Sequence, residues 1–270
     1  MTRARPAPRF PATLASGKAG GARAADAGRV LRPQRPVEHA AREQARQQAP
    51  SGLGLDSAAV RERMVQRLRA DGVVHEGVLQ ALATVERHRF VDSALANQAY
   101  EDTSLPIGLS QTISKPSVVG HMLALLFESA YARQHGHLGR VLEIGTGCGY
   151  QAALLMRLAR SVVSIERLQA LHEKARENLA PLRHDELRLV LGDGRLGHAP
   201  RAPYHGIVAA AGGEAVPPAW LEQLAPGGRL VAPVQSGAAQ HLLVIDRGPE
   251  GLVSHRREAV HFVPLKSGVA

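Results

Sequence analysis

Apolar residues recur every three or four positions between 60 and 85, then gather into short unbroken runs from 140 onward, so the chain changes period once. Val60, Met64 and Leu68 stand four apart, with Asp56 or Ser57 placed to cap a helix and Gly72 placed to end it. Val78, Leu79, Leu82 and Val85 mark one side of a second helix, and Asn97 to Ser110 follows with no regular pattern. Pro116 suits the first turn of an apolar helix running from Ser117 to about Ser129, because its missing N–H would be unpaired there. Beyond that point the runs Arg140 to Ile144, Val162 to Ile165, Leu187 to Leu191, Gly206 to Ala210 and Arg229 to Val234 read as strands. Helices are expected over Gln151 to Arg160, Leu168 to Leu179 and Pro217 to Leu224. Such alternation predicts an α/β fold with a mostly parallel central sheet and helices on both faces. His241 to Asp246 and Ala259 to Pro264 flank the turn Gly248-Pro249-Glu250-Gly251, and are expected to close the sheet as antiparallel strands.

The strand Arg140 to Ile144 runs into Gly145-Thr146-Gly147-Cys148-Gly149, three glycines spaced two apart before a helix. A Cβ in such a turn would bar positive φ and hold the backbone away from a ligand. The free N–H groups of the following helix then face whatever occupies the turn. A dinucleotide fingerprint wants glycines at the first, third and sixth positions, whereas here the sixth is Tyr150. The Glu-x-Gly-x-Gly-x-Gly form beginning at Glu143 resembles motif I of S-adenosylmethionine-dependent methyltransferases. A plain strand-to-helix turn is the third reading.

Two acids at strand ends extend this picture. Glu166 lies 23 residues after Glu143 and can accept from a ribose diol, or else simply pair with Arg167. Asp193, between Gly192 and Gly194, sits where open α/β sheets bind ligands; it can accept from an adenine amino group, or form an Asx-turn. Cys148 is a buried filler or, less simply, a thiol activated by a helix N-terminus. Ser114 stands where an N-cap would. The 13 histidines show no His-Glu-x-x-His pattern and the single cysteine allows no Cys-x-x-Cys, so no metal is expected.

Charge alters the reading only at one end. Residues 1 to 50 hold ten Lys and Arg against three Asp and Glu, and so carry +7 of the net +9. Their Arg-, Ala- and Pro-rich composition predicts a disordered extension over 1–55, ahead of a catalytic domain over 56–270 that includes a helical cap over 56–138. Such a tail could tether nucleic acid, but the balanced body and an aromatic content of 3% argue against nucleic acid as a partner of the site. One cysteine excludes a disulfide framework, and no apolar run reaches the roughly 20 residues that span a membrane, so a cytoplasmic monomer is expected.

The strings Ala99-Tyr100-Glu101-Asp102-Thr103-Ser104-Leu105-Pro106-Ile107-Gly108 and Gln111-Thr112-Ile113-Ser114-Lys115-Pro116 closely resemble the protein-L-isoaspartate O-methyltransferase family. So do Val141 to Gln151, Gly192-Asp193-Gly194, Gly227 to Val234 and Phe262-Val263-Pro264-Leu265, in unbroken order over about residues 56 to 265. The resemblance implies a Rossmann-like class I methyltransferase that uses S-adenosyl-L-methionine. It would methylate the free α-carboxylate of isoaspartyl residues in damaged proteins and peptides, the ester then closing to a succinimide. It also implies that Ser114 is the active-site serine, and that Gln111, Thr112, Ile113, Ser114, Glu143, Gly145, Gly147, Gly149, Glu166, Asp193 and Gly194 contact the cofactor. Lys115, Gly108-Leu109-Ser110 and Gly212-Gly213 depart from the family's usual residues, and the last of these bears on substrate fit. A class I methyltransferase with a changed acceptor is therefore a rival reading, as is a nucleic-acid-associated protein recruited by the basic tail.

Overall fold

The computed structural model describes residues 58–182 and 185–270, which fall within one unit, Ala49–Ala270. The expected extension over 1–55 and the capping residues Asp56 and Ser57 lie outside the described residues. Helices α1 (Ala58–Ala70) and α2 (Glu76–Thr84) come first, turning Met64, Leu68, Val78, Leu79 and Leu82 inward. Gly72 follows α1 at φ 97°, and Val85 is the C-cap of α2.

The segment without periodicity proves to be built. A 3-10 helix, Ser93–Gln98, leads to an antiparallel hairpin of β1 (Leu105–Gly108) and β2 (Gln111–Ile113). Its two turn residues, Leu109 and Ser110, have φ of 52° and 56°. Two left-handed residues give the turn whose twist matches its strands. Glycine or asparagine usually fills such places, since an L-residue takes left-handed geometry at about 1–2 kcal/mol each. Next come α3 (Pro116–Phe127), with proline in its first turn as expected, and the short α4 (Ala130–His135).

The central sheet holds β3 (Arg140–Ile144), β4 (Ser161–Glu166), β5 (Leu187–Leu191), β6 (Tyr204–Ala209), β7 (Leu224–Ser236), β8 (Ala239–Gly248) and β9 (Gly251–Val260) in the order β5-β4-β3-β6-β7-β8-β9. The strands from β5 to β7 are parallel, whereas β8 and β9 are antiparallel additions. Chain order runs outward one way through β4 and β5, then the other way from β6, which opens a crevice beyond the carboxyl ends of β3 and β6. Between strands lie α5 (Tyr150–Leu158), α6 (Gln169–Leu179) and α7 (Pro218–Glu222).

One expectation needs correction. The last strand is Gly251–Val260 and not Ala259 to Pro264, and β7 begins earlier than Arg229, at Leu224. All of β9 except Val260 is exposed, so no alternation of apolar and polar residues marks it, and the apolar residues Phe262 to Leu265 belong to a segment that leaves the sheet.

Neighbouring strand residues feed two cores. Val141, Val162, Val208 and Val231 pack with α1, α2, α3, α5 and α6, while Leu142, Ile144, Val163, Ile207 and Leu230 pack with Trp220 and Leu224. The thick helical layer thus lies on one face, and α7 with short 3-10 turns covers the other. At the edge of the first layer, Arg229 on β7 joins both Asp246 oxygens (2.7 and 2.9 Å), Glu128 (2.9 Å) and the Leu125 carbonyl (2.8 Å). Burial works against this guanidinium, but its acidic partners outweigh that and raise its pKa. Arg229→Met takes the guanidinium from two carboxylates and leaves the Leu125 carbonyl with the Glu128 N–H alone (3.2 Å), so urea denaturation should show a loss of about 2–4 kcal/mol. Unchanged stability would mean that α3 is held to the sheet by packing alone.

Candidate active site

A cavity of about 440 Å³ opens at the carboxyl ends of β3 and β4, within the range of small-molecule sites. Its floor is Gly145, Thr146 and Gly147; one wall is the hairpin segment Leu109–Ser114, another is Glu166 to Leu168, and Val263 to Lys266 close the far side. The hairpin reaches the glycine turn because Lys174 on α6 donates to the Ile107 carbonyl (3.1 Å). Ile107 Cδ1 lies 3.3 Å from where a Cβ on Gly147 would be.

Glu166, the last residue of β4, is buried and shapes the floor. Its Oε2 accepts from Gly147 N–H (2.9 Å), and its Oε1 from the N–H groups of Arg167 (2.8 Å) and Leu168 (3.0 Å). One carboxylate thus ties the β3 turn to the start of α6, and the residue itself lines the cavity.

Of the residues expected at the site, Gln111, Thr112, Ile113, Ser114, Gly145, Gly147, Glu166 and Gly194 line the cavity together. Glu143, Gly149 and Asp193 stand behind its wall. Glu143 is in register with Ser164 across β3 and β4, so both side chains emerge on the same side. Its Oε2 accepts from Ser164 Oγ (2.5 Å), which itself lies 2.6 Å from the cavity-lining Thr146 Oγ1. Gly149 caps α5 at φ 93°, and a Cβ there would stand 2.8 Å from Leu179. Asp193 makes an Asx-turn to Arg195 N–H (2.9 Å), and its second oxygen accepts from Gly268 N–H (2.8 Å).

Burial pushes the Glu143 carboxyl up to about 8; Ser164 and Gln151 oppose the rise and the Glu166 charge adds to it. Gln151 acts from nearby without a bond of regular geometry, since its Nε2 and Glu143 Oε1 have no hydrogen-bond partner. Burial likewise pushes the Cys148 thiol up to about 11, which suits a filler and not an activated nucleophile.

Sequence reasoning missed three supports. Asp102 accepts from Ser117 N–H (2.8 Å) and Ser117 Oγ (2.7 Å), capping α3 from 15 residues away, with Lys115 Nζ at 3.7 Å. Arg87, wholly buried, donates to the carbonyls of Ala99 (2.7 Å) and Thr103 (3.2 Å) and so brackets Asp102. The third is the carboxy-terminal segment. Gly212 donates to the Val263 carbonyl (2.8 Å) and accepts from Leu265 (2.7 Å), while Gln240 holds Phe262 through both backbone groups. A Cβ on Gly212 would stand 2.7 Å from Gln240 Nε2, which accounts for Gly212 as a close approach of backbone to clamp, whereas nothing in the structure explains Gly213. The N-cap of α3 is Lys115 and not Ser114, the residue the sequence put there, so the helix start has no side-chain cap of its own and draws on Asp102 instead.

Comparison with known proteins bears on the fold and the family. The family model for protein-L-isoaspartate(D-aspartate) O-methyltransferase matches residues 59–270. The chain belongs to that family. It is 61% identical over 268 residues to the protein-L-isoaspartate O-methyltransferase of Methylibium petroleiphilum, covering 98% of this chain and 97% of the relative. The Leptothrix cholodnii enzyme is 62% identical over 242 residues, covering 88% and 84%. A solved protein-L-isoaspartate O-methyltransferase superposes with a TM-score of 0.68 at 27% identity, over 77% of this chain and 67% of that one. Membership carries the activity: methyl transfer from S-adenosyl-L-methionine to L-isoaspartyl residues, the opening step of protein repair. The class I methyltransferase fold read from the sequence is the fold observed. Among the described residues no group of three His, Cys, Asp or Glu side chains could hold a metal ion, and no helix is long and apolar enough to cross a membrane.

The raised Glu143 pKa has a measurable sign. Between its ordinary value of 4.5 and about 8, the folded chain keeps a proton that the unfolded chain has released, so stability falls as pH rises through that window. Relative to Glu143→Gln, wild-type denaturation midpoints should decline from about pH 5 to about pH 8 and then run parallel. Parallel curves throughout would show that Glu143 folds ionised.

Proposed function

We propose that the cavity receives S-adenosyl-L-methionine along the glycine turn and an isoaspartyl α-carboxylate against Ser114, with the two meeting on its floor. The observation that carries this reading is that Gly145 to Gly147 and Gln111 to Ser114, separated by some thirty residues of chain, line the same cavity. A Plasmodium falciparum protein of this fold, with a TM-score of 0.64 at 20% identity over 76% of this chain and 98% of that one, was solved with S-adenosyl-L-homocysteine.

The bound cofactor supplies an activated methyl group on a sulfonium. What remains for the chain is alignment and exclusion of water. The glycine turn, whose own N–H groups at Gly145, Thr146 and Gly147 are taken by the Ile165 carbonyl and Glu166, lets the cofactor approach its backbone closely. Glu166 accepts from the cofactor's ribose, and Gln111, Thr112 and Ile113 run beside it. Gly194, with Asp193 behind it, serves the adenine end. Gly149 caps α5 from behind the floor. Glu143 acts through the Ser164 and Thr146 hydroxyls, holding the turn from beneath. Asp102 and Arg87 hold the segment that carries Ser114.

No general base is required, because an α-carboxyl titrates near about 3.5 and is ionised at neutral pH. Lys115, the adjacent base, is engaged with Asp102 (3.7 Å), so the serine positions the carboxylate and forms no covalent intermediate. The substrate is an isoaspartyl-containing protein or peptide met by a cytoplasmic monomer, and it presents a flexible backbone to the hairpin side.

Ser114→Ala should keep cofactor affinity within a few-fold in calorimetry while turnover on an isoaspartyl peptide drops about a hundredfold. The aspartyl twin of that peptide should accept no methyl group from wild type. A trapped methyl-serine, or equal transfer to both peptides, would contradict the assignment.

A further inference from the structure

We infer that Leu109, at the tip of the β1–β2 hairpin, is a specificity-determining residue that favours isoaspartyl substrates with an apolar side chain close to the damaged residue. The inference rests on the proposed docking of the isoaspartyl carboxylate at Ser114.

Leu109 lines the cavity, yet it is 56% exposed and belongs to neither core. It is also held at φ 52°, a conformation leucine adopts against its own preference. A leucine that is strained, exposed and unpacked contributes nothing to folding that glycine would not contribute better. Strain of this kind gathers at ligand-contacting sites.

The tip is not loose. Gln111 Nε2 donates to the Leu109 carbonyl (3.3 Å), Gly108 pairs with Gln111, and Lys174 fixes Ile107 two residues before the turn. The same strand continues from the tip into Ser114, five residues on, so the two are separated by at most about 17 Å of extended chain. A peptide whose α-carboxylate rests on Ser114 therefore brings its flanking residues within reach of an apolar side chain that water now covers. Burying a leucine-sized group on that side chain favours binding and transfer together. Arg167 and the exposed Lys266 also line the cavity, so charge in a test peptide would mask the effect.

The experiment uses uncharged Ser/Gly peptides built around one isoaspartyl residue, with a single leucine walked through roughly three flanking positions on each side. Wild type should show at least one position where leucine raises kcat/KM about tenfold over serine. Leu109→Gly should flatten that profile, keep its affinity for S-adenosyl-L-homocysteine, and melt no lower than wild type. A flat wild-type profile, a Leu109→Gly profile that still peaks, or a variant that loses cofactor affinity or melts lower overturns the role given to Leu109. Failure of wild type to methylate any isoaspartyl peptide would instead overturn the functional reading, and this inference with it.

Discussion

Everything at the site hangs on one buried carboxylate receiving three backbone N–H groups. Glu166 draws the turn after β3 and the start of α6 to the same pair of oxygens, at 2.8 to 3.0 Å. A charged acceptor makes such bonds roughly twice as strong as neutral ones. Because the glycine turn has no side chain of its own at the points of contact, it takes its shape from this neighbour. The floor it forms is then braced from below by Thr146, Ser164 and Glu143, all buried, and it is this burial that raises the Glu143 pKa.

Above that floor, the hairpin and the carboxy-terminal segment enclose the cavity from opposite sides, and each is tied to the frame by a polar side chain. Lys174 reaches up from α6 to the hairpin, and Gln240 reaches across from β8 to Phe262. Asp102 performs the same service for α3, using an acid to satisfy the Ser117 N–H that Lys115 cannot. The sparse chemistry of methyl transfer to an already ionised acid suits this design, since rigid placement is what the reaction asks of the protein.

The parts legible in the sequence were those whose signal is local. The strands Arg140–Ile144 and Leu187–Leu191 stood out as apolar runs, and Gly145, Gly147 and Glu166 were placed by spacing alone. The hairpin was not legible, because β1 is four residues long with Pro106 and Gly108 inside it, and its turn uses leucine and serine where glycine is the usual marker. Strand β9 hid for another reason: an edge strand exposed on both faces has no period to read. Asp102 and Gln240 act across 15 and 22 residues, so nothing adjacent in sequence announces their partners. For Asp193, its local Asx-turn could be foreseen, whereas its bond to Gly268, 75 residues away, could not.

The claim that joins these observations is that one cavity aligns a sulfonium methyl with a backbone carboxylate held by Ser114. A crystal structure with S-adenosyl-L-homocysteine and an isoaspartyl peptide tests it directly. The account predicts the sulfur above Gly145 to Gly147, and an α-carboxylate oxygen turned toward it at about 2.7–2.8 Å from Ser114 Oγ. A peptide carboxylate seated away from Ser114, or a cofactor lying off the glycine turn, would contradict it.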